Sequence, residues 1–177
     1  MYDGQKFKNL VHYVCSKCDD PRELGATKLN KILWYSELEA FLALKKPITG
    51  ARFVKQEFGP VPVAIVPVLE ELRQEGALAI RDTTYFGKPK REFISLRDPE
   101  IDEFSAQEIS IVDRVTQVIC TQHTASSISE HTHNDIWKMA EIGEDIPLYT
   151  VFAVKGEITE QDIAWADSTI RELKDAV

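Results

Sequence analysis

The sequence predicts an α+β domain that is mainly α-helical, a compact helical body carrying a winged-helix-like β-hairpin. Three observations predict it. Apolar residues recur at three- and four-residue spacing through most of the chain, which marks helices with one buried face. The runs 78–81 and 91–96 alternate like strands and are joined by a short tip. No regular alternation of strands and helices, the pattern that builds a parallel sheet, is present.

The elements follow in order. Phe7, Leu10, Val11 and Val14 predict a helix over roughly 4–18. After Pro21 and Gly25, a second helix runs from about Thr27 to Leu44. Its Leu29, Ile32, Leu33, Ala40, Phe41 and Leu44 form a broad apolar stripe, widened by Trp34, Tyr35 and Leu38. Residues 45–50 read as a turn and 51–58 as a short strand. Gly59-Pro-Val-Pro62 is expected to turn directly into a helix continuing to Gly76, because proline suits a first helical turn; Pro67 either kinks that helix or marks its real start. The alternating runs 78–81 and 91–96 flank a tip containing Tyr85, Phe86, Gly87, Lys88 and Pro89. Ser105-Ala-Gln-Glu108 is a capping box that opens a helix with Ile109, Val112, Val115 and Ile119 inward. Short helices are predicted over 124–131 and 136–140. The β-branched and aromatic run 148–154 reads as a strand that a helical fold could override. Thr159 to Asp162 caps a last, acidic helix over about 159–176, with Ile163, Ala166, Ile170 and Leu173 as its seam.

Of the 177 residues, 44% are hydrophobic and 28% charged, the profile of a folded globular chain, not a disordered one. One domain over 1–177 is expected. No run approaches the ~20 apolar residues of a membrane span. The start lacks an apolar secretion core, and with three cysteines the expected location is a reducing cytoplasm. The formal net charge of −8 argues against a nucleic-acid coat, yet it is unevenly spread. Residues 1–97 hold 16 Lys and Arg against 12 Asp and Glu, whereas 98–177 hold 5 against 17.

Motifs of catalysis are thin. Cys15-Ser-Lys-Cys18 is a single C-x-x-C near a helix end, not at the helix start where a dipole would activate a thiol, and Cys120 with distant histidines supplies no zinc spacing. His131-Thr-His133-Asn-Asp135 has the H-x-H-x-D spacing of dimetal hydrolases, but the His that should follow the Asp is Ile136, and no histidine lies downstream. Three protein ligands for an open zinc site cannot be counted from this pattern. The chain has no G-x-S-x-G elbow, Walker A sequence or Rossmann glycine triplet. No catalytic residue, metal or cofactor is therefore assigned. The hairpin tip, with Lys88, Lys90 and Arg91, could touch phosphates, but the helix before it carries Glu70, Glu71 and Glu75 and would repel them.

Three separated blocks carry a family resemblance. Lys28-Leu-Asn-Lys-Ile-Leu-Trp-Tyr35, with the turn at 45–48, is similar to the K-L-x-K-L-L-Y helix of the Panacea domain, the module of SocA-type bacterial and phage antitoxins. Glu57-Phe-Gly-Pro-Val61 resembles that family's aromatic-Gly-Pro-Val step, and Ile128-Ser-Glu-His-Thr-His133 with Trp137 resembles its L-S-x-x-T-H…W block. Order and spacing agree, over a core of about 5–150. The departures are Trp34 where Tyr is usual, Ile136 where Pro is common, and the acidic C-terminal helix. The resemblance marks Lys28, Tyr35, Phe58, Gly59, Pro60, His133 and Trp137 as motif residues. It implies an antitoxin, not an enzyme, that binds and neutralises a cognate toxin encoded beside it, by masking or as a proteolytic adaptor that would also engage a protease or chaperone. The acidic second half, through helices 105–122 and 159–175, is the expected face for a basic toxin. On their own, the hairpin and its cations leave a DNA-binding regulator as the alternative. His133 and Trp137, four apart, are expected on one helical face, with the Trp in the core and the His hydrogen-bonded beside it.

Overall fold

The computed structural model describes residues 1–18 and 20–153; the acidic helix expected over 159–176 lies outside them. Helix α1, Gly4–Lys17, starts where the Asp3 side chain accepts from the Lys6 amide at 3.0 Å. Its Phe7, Leu10, Val11 and Val14 are fully buried. At about 1.5–3 kcal/mol per buried large apolar side chain, that single face accounts for much of what holds α1 in place. Helix α2, Ala26–Leu44, is the spine and touches α1 and most of the later elements. Its Leu29, Ile32, Leu33 and Trp34 are buried, and the Trp34 ring meets Phe53 edge-on at 5.0 Å. Helix α4, Ala106–Gln122, packs along α2 and begins with the expected Ser105/Glu108 box. There Glu108 also takes an ion pair from Lys6 at 2.9 Å.

The largest departure from the sequence expectation lies between 53 and 65. Strand β1, Phe53–Gln56, turns at Glu57 and Phe58 into strand β2, Gly59–Pro62, and the two pair antiparallel with Val54 opposite Val61. Gly59-Pro-Val-Pro62 is thus the return limb of a second hairpin, not a helix start. Pro60 and Pro62 have no N–H to donate, so β2 can only be an edge strand. The other edge of β1 is closed by the segment after residue 142: the Lys55 amide donates to the Glu144 carbonyl and the Ile146 amide to the Phe53 carbonyl. Helix α3, Ile65–Gln74, begins three residues after β2, with Pro67 in its first turn, where the missing N–H costs nothing.

Strands β3, Leu78–Tyr85, and β4, Lys88–Ser95, form the expected hairpin after α3. Phe86 (φ 49°) and Gly87 (φ 75°) make its two-residue turn, both in the left-handed region that suits the strand twist. Helices α5, Ala125–Thr132, and α6, Asp135–Met139, match the short helices expected, each opened by a side-chain cap from Thr124 and Asn134. Residues Leu148–Ala153 form a 3-10 turn, so the β-propensity of that run is overridden.

Candidate functional site

Lys28, Lys31 and Tyr35 step by three and four along one face of α2. The middle one sets the site. Lys31 is 1% exposed, and its Nζ donates to the Phe58 carbonyl at the β1–β2 turn. No ion-pair partner faces it among the described residues. Burial without a carboxylate disfavours the ammonium and lowers its pKa to about 7. Gly59 closes over the amine with φ 110°, and a Cβ there would meet Lys31 Nζ at 2.0 Å and Thr132 Oγ1 at 2.4 Å. Thr132, at the end of α5, donates to the Ser129 carbonyl at 2.8 Å.

Beyond Thr132 the chain breaks helix, so His133 and Trp137 do not share one. Their rings nevertheless stack at 3.7 Å and 10°. Trp137 is half-buried; its Nε1 donates to the Gln56 carbonyl at 3.2 Å, and Lys55 Nζ lies 4.1 Å from its ring centre. Lys55 in turn donates to the Ala140 carbonyl at 2.9 Å. His133 Nε2 is buried with no hydrogen-bond partner, contrary to the expectation of a hydrogen-bonded ring. Burial lowers its pKa, and Lys31 and Lys55 add to that shift.

Of the motif residues, Phe58 and Gly59 lie directly on Lys31, His133 feels its charge, Trp137 stacks on His133 and bonds the β1–β2 turn, and Pro60 in β2 pairs with Lys55 of β1. The Phe58 ring itself stands out 57% exposed, and only its carbonyl faces inward. Lys28 serves elsewhere: its Nζ donates to the Cys120 carbonyl at 3.1 Å, a cation on the last turn of α4. Tyr35 lies one turn beyond Lys31, and burial raises its phenol. Lys31 and Thr132 stand inside the quoted family blocks but are not among the residues marked from them, and Lys55 lies outside those blocks. The signal for Lys31 was present in its i+3 spacing from Lys28 within an apolar stripe.

The remaining sequence motifs separate. His131 packs edge-on against His123 at 5.1 Å, while His133 faces Trp137, so the H-x-H rings have different neighbours. At the hairpin, Arg81 pairs with Glu92, Arg91 with Asp82, and Lys90 with Glu92 and the Arg22 carbonyl; Lys88 has no ion pair among the described residues.

The buried amine makes stability depend on pH. Unfolded, Lys31 keeps its proton up to the ordinary value of 10.5; folded, it loses it near 7. Between those values the unfolded chain holds more protons, so stability rises with pH. Melting curves from pH 7 to 9 are expected to rise relative to those of Lys31→Met, by up to about 1.4 kcal/mol per pH unit. Parallel curves for the two proteins would refute a neutral buried amine.

The amine is sealed beneath backbone and a methyl-bearing side chain, so the site works as a three-way tie between α2, the β1–β2 hairpin and the α5–α6 corner. The tied surface presents Phe58 and the 82% exposed Met139. A family model described as antitoxin SocA-like, Panacea domain, matches residues 29–138, from the first turn of α2 to α6. No curated protein and no solved structure matches the chain.

Proposed function

The chain belongs to the SocA-like antitoxin family of Panacea domains, and on that premise we infer that it binds a cognate protein toxin and neutralises it. The observation that carries this reading is the match over 29–138, which takes in every element of the Lys31 tie. The work is recognition, so affinity would come from apolar anchors and charge complementarity, not from turnover. The toxin is taken to be encoded next to this chain and met in the cytoplasm. Neutralisation proceeds either by masking the toxin or by handing it to a protease.

The acidic second half remains the proposed face for a basic toxin; of the two helices expected to carry it, 159–175 lies outside the described residues. Helix α4 carries only Glu108 and Asp113 as acids. Glu108 is committed to Lys6 and the Ser105 cap, and Asp113 accepts from the Tyr13 hydroxyl at 2.8 Å. Among the described residues, the exposed Asp98, Glu100 and Asp102 before α4 form a run of acids with no ion pair, and we take them as the part of that face to test.

Co-expression with the adjacent open reading frame tests the reading. Growth should be restored and the two proteins should co-purify. Reversing charge at Asp98, Glu100 and Asp102 should weaken co-purification with the fold retained. Failure of both rescue and co-purification would defeat the antitoxin reading. Unchanged co-purification of the charge variant would defeat only the acidic face. The DNA-binding alternative is disfavoured by the wing itself, since three of its four cations are already paired with protein carboxylates.

A further inference from the structure

The sequence sets Cys15 and Cys18 together and leaves Cys120 alone; the fold pairs them differently. Cys15 is 3% exposed inside the core, and burial raises its thiol. Cys18, the residue that ends α1, places its Sγ 3.5 Å from Sγ of Cys120 in the last turn of α4. Both thiols are free. They line a surface groove of about 550 Å³, shared with Lys17, Glu23, Asp113 and Gln117. No third ligand completes a metal set there among the described residues. We propose that Cys18 and Cys120 are an oxidative modification site, at which a two-electron oxidant reaching the groove joins the end of α1 to the end of α4 by a disulfide.

The surroundings fit the two roles that such a bond needs. The contact with Cys120, seconded by the charge of Lys28, lowers the Cys18 thiol against its burial, so Cys18 is the attacking sulfur. Cys120 is raised and keeps its proton until the second step. With hydrogen peroxide, the Cys18 thiolate attacks one oxygen, the O–O bond breaks, and hydroxide leaves to be protonated to water. The product is a sulfenic acid on Cys18. Cys120 then gives up its proton, its sulfur attacks that of Cys18, the S–O bond breaks, and a second water leaves. Two thiols lose two electrons and two protons, and peroxide is reduced to two waters. The sulfurs must close by about 1.5 Å to bonding distance, a side-chain movement within one groove. The bond would link residues far apart in the chain, so its constraint on the unfolded state is of the long-loop kind.

The test uses the full-length, folded protein treated with stoichiometric hydrogen peroxide and then quenched. Thiol titration after denaturation should fall from three to one per chain, and peptide mapping should find Cys18 joined to Cys120 within one chain. Cys15→Ser should keep the bond, and Cys18→Ser and Cys120→Ser should each abolish it. The oxidised protein should melt at a higher temperature, and dithiothreitol should reverse the shift. A thiol count that stays at three, a Cys15–Cys18 linkage, a bond between chains, or Cys18 converted to sulfinic acid with Cys120 still reduced would each overturn the proposal. Mapping on the unsubstituted protein decides the matter even if a variant fails to fold.

Discussion

Gly59→Ala is expected to lose roughly 2–5 kcal/mol of stability, enough to lower the melting temperature by about 10 °C in a chain of this length. Two costs combine. Alanine at φ 110° sits in a backbone region that a side chain rarely adopts, and its methyl would occupy the space of Lys31 Nζ, 2.0 Å away, and Thr132 Oγ1, 2.4 Å away. Neither neighbour can retreat easily: Lys31 is held by the Phe58 carbonyl on the same turn, and Thr132 by the Ser129 carbonyl. The loss should show in urea denaturation as a lower midpoint at unchanged slope. A shift below about 2 °C would mean that the β1–β2 turn can be displaced freely, and the three-way tie would not exist as described.

Glu37→Ala is expected to cost about 3–5 kcal/mol, from two stranded donors and a cavity. Glu37 is fully buried on α2, and no cation balances it among the ion pairs of the described residues. Its carboxylate accepts the Thr49 amide at 2.9 Å and the Thr49 hydroxyl, while the Thr49 carbonyl accepts the Asp3 amide at 2.9 Å. One side chain thereby fixes the turn after α2 and, through it, the start of α1. Glu37→Gln keeps the shape and one acceptor and should lose much less. Burial raises the Glu37 pKa, although the Thr49 bonds oppose the rise. The folded chain therefore holds an extra proton above the ordinary 4.5, and stability falls as pH rises through that window; Glu37→Gln should lack this fall. If Glu37→Ala melted within a few degrees of the parent, the Thr49 contacts would be dispensable.

Helical spacing reveals α1, α2 and α4, each of which buries an apolar face, and side-chain caps open α1, α4 and the two short helices, whereas α2 starts at Gly25 without one. The hairpin at 53–62 was hidden for a physical reason. Its return strand, Gly-Pro-Val-Pro, has the composition of a turn and helix start. Its partner β1 is also held on the other side by residues 143–146, a contact that no local pattern contains. The site was half visible: Gly59, His133 and Trp137 stood out as a motif. The group they enclose is the second Lys of the K-L-x-K block, but a lysine one residue before Ile32 reads by itself as an ordinary solvated charge. Only the arrival of a hairpin and a corner from elsewhere in the chain buries it.

Because the tie joins α2 to Thr132 by way of Gly59, its closure depends on when each part leaves the ribosome. At about 5–20 residues per second, the 73 positions from Gly59 to Thr132 take on the order of 4–15 s to synthesise. Throughout that interval Lys31 is hydrated and charged, and the Gly59 turn has nothing above it. The nascent chain thus acquires its helical spine early and its sealed site last. A transcript or protein cut short before α5 would leave a fragment that cannot complete the tie, which makes the integrity of the chain's second half a condition for its first half to be finished.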